Sequence, residues 1–150
     1  MARFIIGFMG AGKSRYLTEN SQYYRATFDM DVLLSERFGI SIWQVFDQYG
    51  EAVFRQAEKA LLEELLPLPD TVLVATGGGI IEDSQNRTLL AAQHRKNIWL
   101  DNSFDCLYER LRHDRHEQRP IFRRLSREAL ADVYDKRRPW YEQCGVRLVY

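Results

Sequence analysis

Gly7-Phe8-Met9-Gly10-Ala11-Gly12-Lys13-Ser14 reads G-x-x-x-x-G-K-S, the pattern of a phosphate-binding loop. A short apolar run over residues 4–6 precedes it and predicts a buried strand. Tyr16, Leu17, Asn20 and Tyr23 follow at helical spacing. The motif therefore lies between a strand and a helix, where its chemistry works. Glycines let the backbone turn its N–H groups around a phosphate. The helix N-terminus adds the positive end of its dipole. Lys13 reaches the β- and γ-phosphates, and the Ser14 hydroxyl is placed to ligate Mg²⁺. Gly10, Ala11 and Gly12 supply the cradle.

The rest of the chain extends this pattern. Further strands are predicted over 26–28, 72–75, 98–100 and 146–149, with helical stretches between them. The clearest helix covers about 51–66, with Val53, Ala57, Ala60, Leu61 and Leu65 on one face. Alternating strands and helices imply an α/β fold: a five-stranded parallel sheet covered on both sides as a three-layer sandwich. Such sheets bind ligands beyond the carboxyl ends of their strands. The candidate chemical residues stand there. Asp29 and Asp31 follow the second strand and can share one crevice, one carboxylate for a hydrated Mg²⁺ and one for a substrate hydroxyl. Thr76-Gly77-Gly78-Gly79 follows the third strand and leaves three backbone N–H groups beside any small ligand. Arg55 and Glu58, three apart on the long helix, form a carboxylate-held donor suited to an anionic substrate.

Composition narrows the class. The chain has 150 residues with 45% hydrophobic and 28% charged, as expected of one globular domain over 1–150. Its formal net charge is zero, which argues against a general nucleic-acid binder. No apolar run reaches membrane-spanning length. The N-terminus enters the phosphate loop directly, so no cleavable signal is expected. Cys106 and Cys144 lack metal-ligand spacing and read as reduced cytoplasmic thiols. Residues 109–138 are arginine-rich within this neutral chain, and polar, weakly periodic sequence over about 110–125 suggests a mobile lid. An arginine-bearing lid would neutralise a phosphoryl group and exclude water.

Together these motifs resemble shikimate kinase over nearly the whole chain. The matching pieces are Gly7 to Ser14, Asp29-Met30-Asp31, Gly50-Glu51 with Phe54-Arg55 and Glu58, and Thr76-Gly77-Gly78-Gly79. Arg119-Pro120-Ile121 and Lys136-Arg137-Arg138-Pro139-Trp140-Tyr141 complete them. The resemblance implies a P-loop kinase of the nucleoside-monophosphate-kinase type that phosphorylates the shikimate 3-hydroxyl with ATP and Mg²⁺, on the route to chorismate. It implies that Asp29 and Ser14 serve the metal and that Asp31 binds ring hydroxyls as the candidate base. Arg55 and Arg137 take the carboxylate, while Gly77, Gly78 and Gly79 line the substrate. Phe54, Phe46 and Ile42 wall the pocket. Arg119 closes from the lid as a catalytic group beside Lys13 and Asp31. Arg110 is expected against adenine, with Arg112 as the alternative.

Two positions depart from the family. Arg15 replaces a small hydroxyl residue and either points to solvent or joins the nucleotide site. The family continues past the position of Tyr150 into an adenine-flanking loop and a final helix. A cytoplasmic monomer is expected, with neither nucleic acid nor membrane as partner. Alternatives are a gluconate or nucleoside-monophosphate kinase, or a nucleotide-binding module impaired in catalysis.

Overall fold

The computed structural model describes residues 1–113 and 125–150. Five strands form one parallel sheet: β1 (Arg3–Ile6), β2 (Ala26–Asp29), β3 (Val72–Ala75), β4 (Ile98–Asp101) and β5 (Val146–Val149), in the order β2-β3-β1-β4-β5. The helices among the described residues are α1 (Lys13–Asn20), α2 (Met30–Phe38), α3 (Ile42–Tyr49), α4 (Glu51–Leu65), α5 (Ser84–Ala91), α6 (Phe104–His113) and α7 (Arg127–Cys144). The three-layer α/β architecture expected from the sequence is the one observed. Each predicted strand is present, with β1, β2 and β4 each one residue longer than expected.

β1 is central because both of its faces are apolar. Phe4, Ile5 and Ile6 are fully buried, as are Leu73 and Val74 beside them in β3. Register follows: Arg3 stands opposite Leu73, and Ile5 lies between Ala75 and Ile98. This order puts the ends of β1, β2 and β3 side by side. The phosphate loop, the two aspartates and the glycine triplet follow those three strands.

Two helices differ from the expected faces. In α4 the buried residues are Phe54, Glu58, Leu61, Leu62 and Leu65, while Val53 and Ala60 are exposed. The stripe is turned so that the Phe54 ring enters the core, and Glu58 is carried in with it. α1 stops at Asn20, and Tyr23 lies on an exposed 3-10 turn. α7 buries Leu130, Tyr134, Arg137, Tyr141 and Cys144 along one stripe and runs on through Pro139. Among the described residues, no helix is long and apolar enough to cross a membrane. Both cysteines are free.

Candidate active site

The phosphate loop turns through left-handed backbone at Gly10 (φ 81°) and Gly12 (φ 93°), conformations that a side chain resists. Gly12 is the N-cap of α1. Lys13 is buried, and its Nζ donates to the carbonyls of Gly7 (2.7 Å) and Phe8 (3.0 Å). The ammonium is thus held against the loop it is expected to serve.

Ser14 Oγ donates to Asp29 Oδ2 at 2.7 Å. Asp29 ends β2 and caps α2, where its Oδ1 accepts from the backbone N–H groups of Asp31 (3.0 Å) and Val32 (3.4 Å). A hydroxyl beside one carboxylate oxygen fits Mg²⁺, which keeps much of its water and takes phosphate oxygens. Among the described residues, no group of three or more His, Cys, Asp or Glu forms a full metal cage.

The acceptor side is built around the glycine triplet. An ideal Cβ on Gly77 would stand 3.0 Å from both Asp31 Oδ1 and Glu58 Oε2, so two carboxylates converge there. Glu58 is 1% exposed and its Oε2 is buried without a hydrogen-bond partner. Burial pushes its carboxyl up to about 7, against the pull of Arg55, with Asp31 adding to the rise. Arg55 Nη1 donates to Glu58 Oε1 at 2.9 Å. The same guanidinium occupies the space a Cβ on Gly79 would need, lies 5.3 Å from the Phe54 ring centroid, and is 5.9 Å from that of Phe46. The expected Arg55–Glu58 pair is present, and one end of it is buried.

Gly78 also touches the loop. A Cβ there would meet the loop backbone, 3.2 Å from Met9 N and 3.5 Å from Gly7 O. Its missing side chain lets the triplet pack on the phosphate loop. Arg137, buried within α7, donates from Nε to Glu82 Oε1 at 2.8 Å. Burial raises the Glu82 pKa, but Arg137 and then Lys136 outweigh it and hold the carboxyl below its ordinary value.

Arg15 pairs within its own helix and with the last residue. Its Nε lies 2.8 Å from Glu19 Oε1, its guanidinium covers the Tyr150 ring at 5.3 Å, and its side chain is 71% exposed. A pair four residues apart on the helix and an aromatic face hold it there. Arg110 lies against the phosphate loop. Its Nη1 donates to the carbonyls of Gly10 (3.2 Å) and Ala11 (3.5 Å), and its Nη2 to that of Tyr150 (2.9 Å). It buttresses the loop backbone. Arg119 and most of the lid expected over 110–125 lie outside the described residues.

Three contacts here escaped sequence reasoning. Glu82 reaches Arg137 across 55 residues of chain. Tyr141 donates to Gly78 O at 2.6 Å. Tyr150 seats its ring where a Cβ on Gly12 would go, 2.9 Å from its Cε2, and bonds Glu19 through its hydroxyl. Local spacing carries no sign of the first or third. Tyr141, four residues after Arg137, could have been found as its helical neighbour.

Fold and site together define a P-loop phosphotransferase acting on a small anionic acceptor. A sequence model of the shikimate kinase family matches residues 9–149. The shikimate kinase of Streptococcus thermophilus is 41% identical over 95% of this chain and 85% of that protein. The structure of the Acinetobacter baumannii shikimate kinase in complex with shikimate superposes with a TM-score of 0.82. It is 27% identical, covering 99% of this chain and 82% of that one. A gluconokinase from Sinorhizobium meliloti shares the fold alone, with a TM-score of 0.54 at 17% identity, over 99% of this chain and 81% of that one. The chain belongs to the shikimate kinase family.

Proposed function

We infer that this chain transfers the γ-phosphoryl group of ATP to the 3-hydroxyl of shikimate, giving shikimate 3-phosphate and ADP. The observation that carries the reading is the cluster at the glycine triplet. Arg55 stands over Gly79, and the carboxylates of Asp31 and Glu58 converge at Gly77, beside an intact phosphate loop. A guanidinium answers the acceptor's carboxylate, and carboxylate oxygens answer its hydroxyls.

Each residue has a task in this reading. Arg55 and Arg137 hold the acceptor carboxylate, with Phe54 walling the pocket beside Gly77, Gly78 and Gly79. The loop N–H groups and Lys13 hold the β- and γ-phosphates. The acceptor oxygen forms its bond to the γ-phosphorus as the bond to the ADP oxygen breaks, and Asp31 takes the hydroxyl proton. A loose transition state asks for alignment and charge neutralisation more than for a strong base, which an aspartate suits. Ser14 and Asp29 would hold Mg²⁺, which when bound neutralises charge on the phosphates. Arg119 keeps its lid role as a proposal from sequence.

The proposal includes a cytoplasmic monomer, for which the free thiols offer support as to compartment. Sedimentation tests the oligomeric state. The decisive assay is ADP release from ATP with shikimate, gluconate or AMP, with and without Mg²⁺. Turnover on shikimate alone, abolished by chelation, is expected. Turnover on another acceptor, or nucleotide binding without turnover on any, would overturn it.

A further inference from the structure

Arg137 is 3% exposed within α7, a costly place for a guanidinium unless its aim matters. Its Nε edge is taken by Glu82 Oε1 at 2.8 Å, which fixes the plane of the group. Its centre lies 5.8 Å from the ring centroid of Phe8, a residue of the phosphate loop. One helical turn on, Tyr141 is 1% exposed and stands on the same face of α7 as Arg137. Its hydroxyl donates to Gly78 O at 2.6 Å. Gly78 packs directly on the backbone of Gly7, Phe8 and Met9. Glu82 thus holds Arg137 from one side, and Tyr141, one turn on, ties that stretch of α7 to Gly78 and the loop. Burial pushes the Tyr141 phenol up to about 12 against the pull of Arg137, so the hydroxyl remains a donor across the working pH range.

We propose that Glu82 and Tyr141 are positioning residues that lock Arg137 to the phosphate loop, holding the acceptor's carboxylate in register with the phosphoryl donor. This rests on Arg137 being a carboxylate partner, and the test separates the two claims. Kinetics of Tyr141→Phe, Glu82→Gln, Glu82→Ala and Arg137→Ala are measured in the full chain with shikimate and with its uncharged methyl ester, alongside melting curves.

The readout is the preference for acid over ester in kcat/KM. Tyr141→Phe should lower that preference about tenfold, mostly through a higher KM for shikimate, as expected for loss of the one hydrogen bond that ties this turn of α7 to Gly78. Glu82→Gln, which keeps an acceptor oxygen, should recover most of what Glu82→Ala loses. A variant that loses acid and ester turnover equally would show a merely structural role and overturn the proposal. If Arg137→Ala loses the preference while Tyr141→Phe and Glu82→Ala keep it, positioning fails and the carboxylate reading stands. If Arg137→Ala keeps it, the carboxylate reading itself fails. Should Tyr141→Phe not fold, the two Glu82 variants, whose parent side chain is part exposed, decide alone.

Discussion

Gly79 matters for the group that fills its empty side. An added Cβ would fall within 2.7 Å of Arg55 Nη1 and closer still to Nη2. The obstructing atoms end a flexible side chain, so Gly79→Ala should displace the guanidinium rather than unfold the chain. We expect the shikimate KM to rise about tenfold, the scale of one charged hydrogen bond. Unfolding free energy should move by less than about 1 kcal/mol in urea titrations. Glu58 gives a second prediction. Its folded pKa of about 7 lies above the ordinary carboxylate value of 4.5, so the native state binds the extra proton. The resulting stability is complete below about pH 4.5 and is lost as pH rises through about 7. Glu58→Gln should remove that loss. Relative to wild type the variant should gain on the order of 3 kcal/mol between pH 4.5 and 8, measured by urea unfolding across pH. A constant difference across that range would refute it. The Arg55–Glu58 pair was legible because three residues on a helix are neighbours. Glu82's hold on Arg137 was not, because only the tertiary fold brings positions 82 and 137 together.

Element by element, local chemistry tells most where one residue does two jobs. Asp29 ends β2, caps α2 and bonds Ser14. Asp29→Asn keeps a capping oxygen but not the charge, whereas Asp29→Ala loses both. Asp29→Asn should therefore retain stability within about 0.5 kcal/mol and need more Mg²⁺ for half-maximal rate, while Asp29→Ala should also lose about 1 kcal/mol. Unfolding curves and Mg²⁺ titrations of the rate separate the two jobs; equal loss of stability in both variants would tie the cap to the charge. The face of α4 shows where pattern reading slips. Val53 and Ala60 fit the period, but burial of the larger Phe54 ring rotates the stripe and takes Glu58 inside. α7 continues past Pro139, since Tyr141 and Cys144 are buried beyond it and hold the last turns against the core.

Across the whole molecule, one buried carboxylate joins the later elements. Asp101, 2% exposed, ends β4 and receives Arg138 of α7 (2.9 Å to Oδ1) and Arg147 of β5 (2.7 Å to Oδ2). Asp101→Ala would leave two arginines without their shared partner. The expected cost is about 3 kcal/mol by chemical denaturation, and a loss under about 1 kcal/mol would contradict it. The parallel sheet was legible from five short apolar runs. Its strand order was not, because the runs alone do not say that β1 lies between β3 and β4.

That order sets a sequence in time. β1 and the phosphate loop leave the ribosome first, yet Arg3 waits for Leu73, Ile5 for Ile98, and Gly12 for the ring of Tyr150. The loop is therefore made early and completed only when these later elements are in place. Nascent chains halted before Ile98 should fail to bind immobilised ATP, and retention of such chains would show that the loop matures without its neighbours. Until β4 arrives, the glycines that will cradle a phosphate lack the strand against which Gly7 packs.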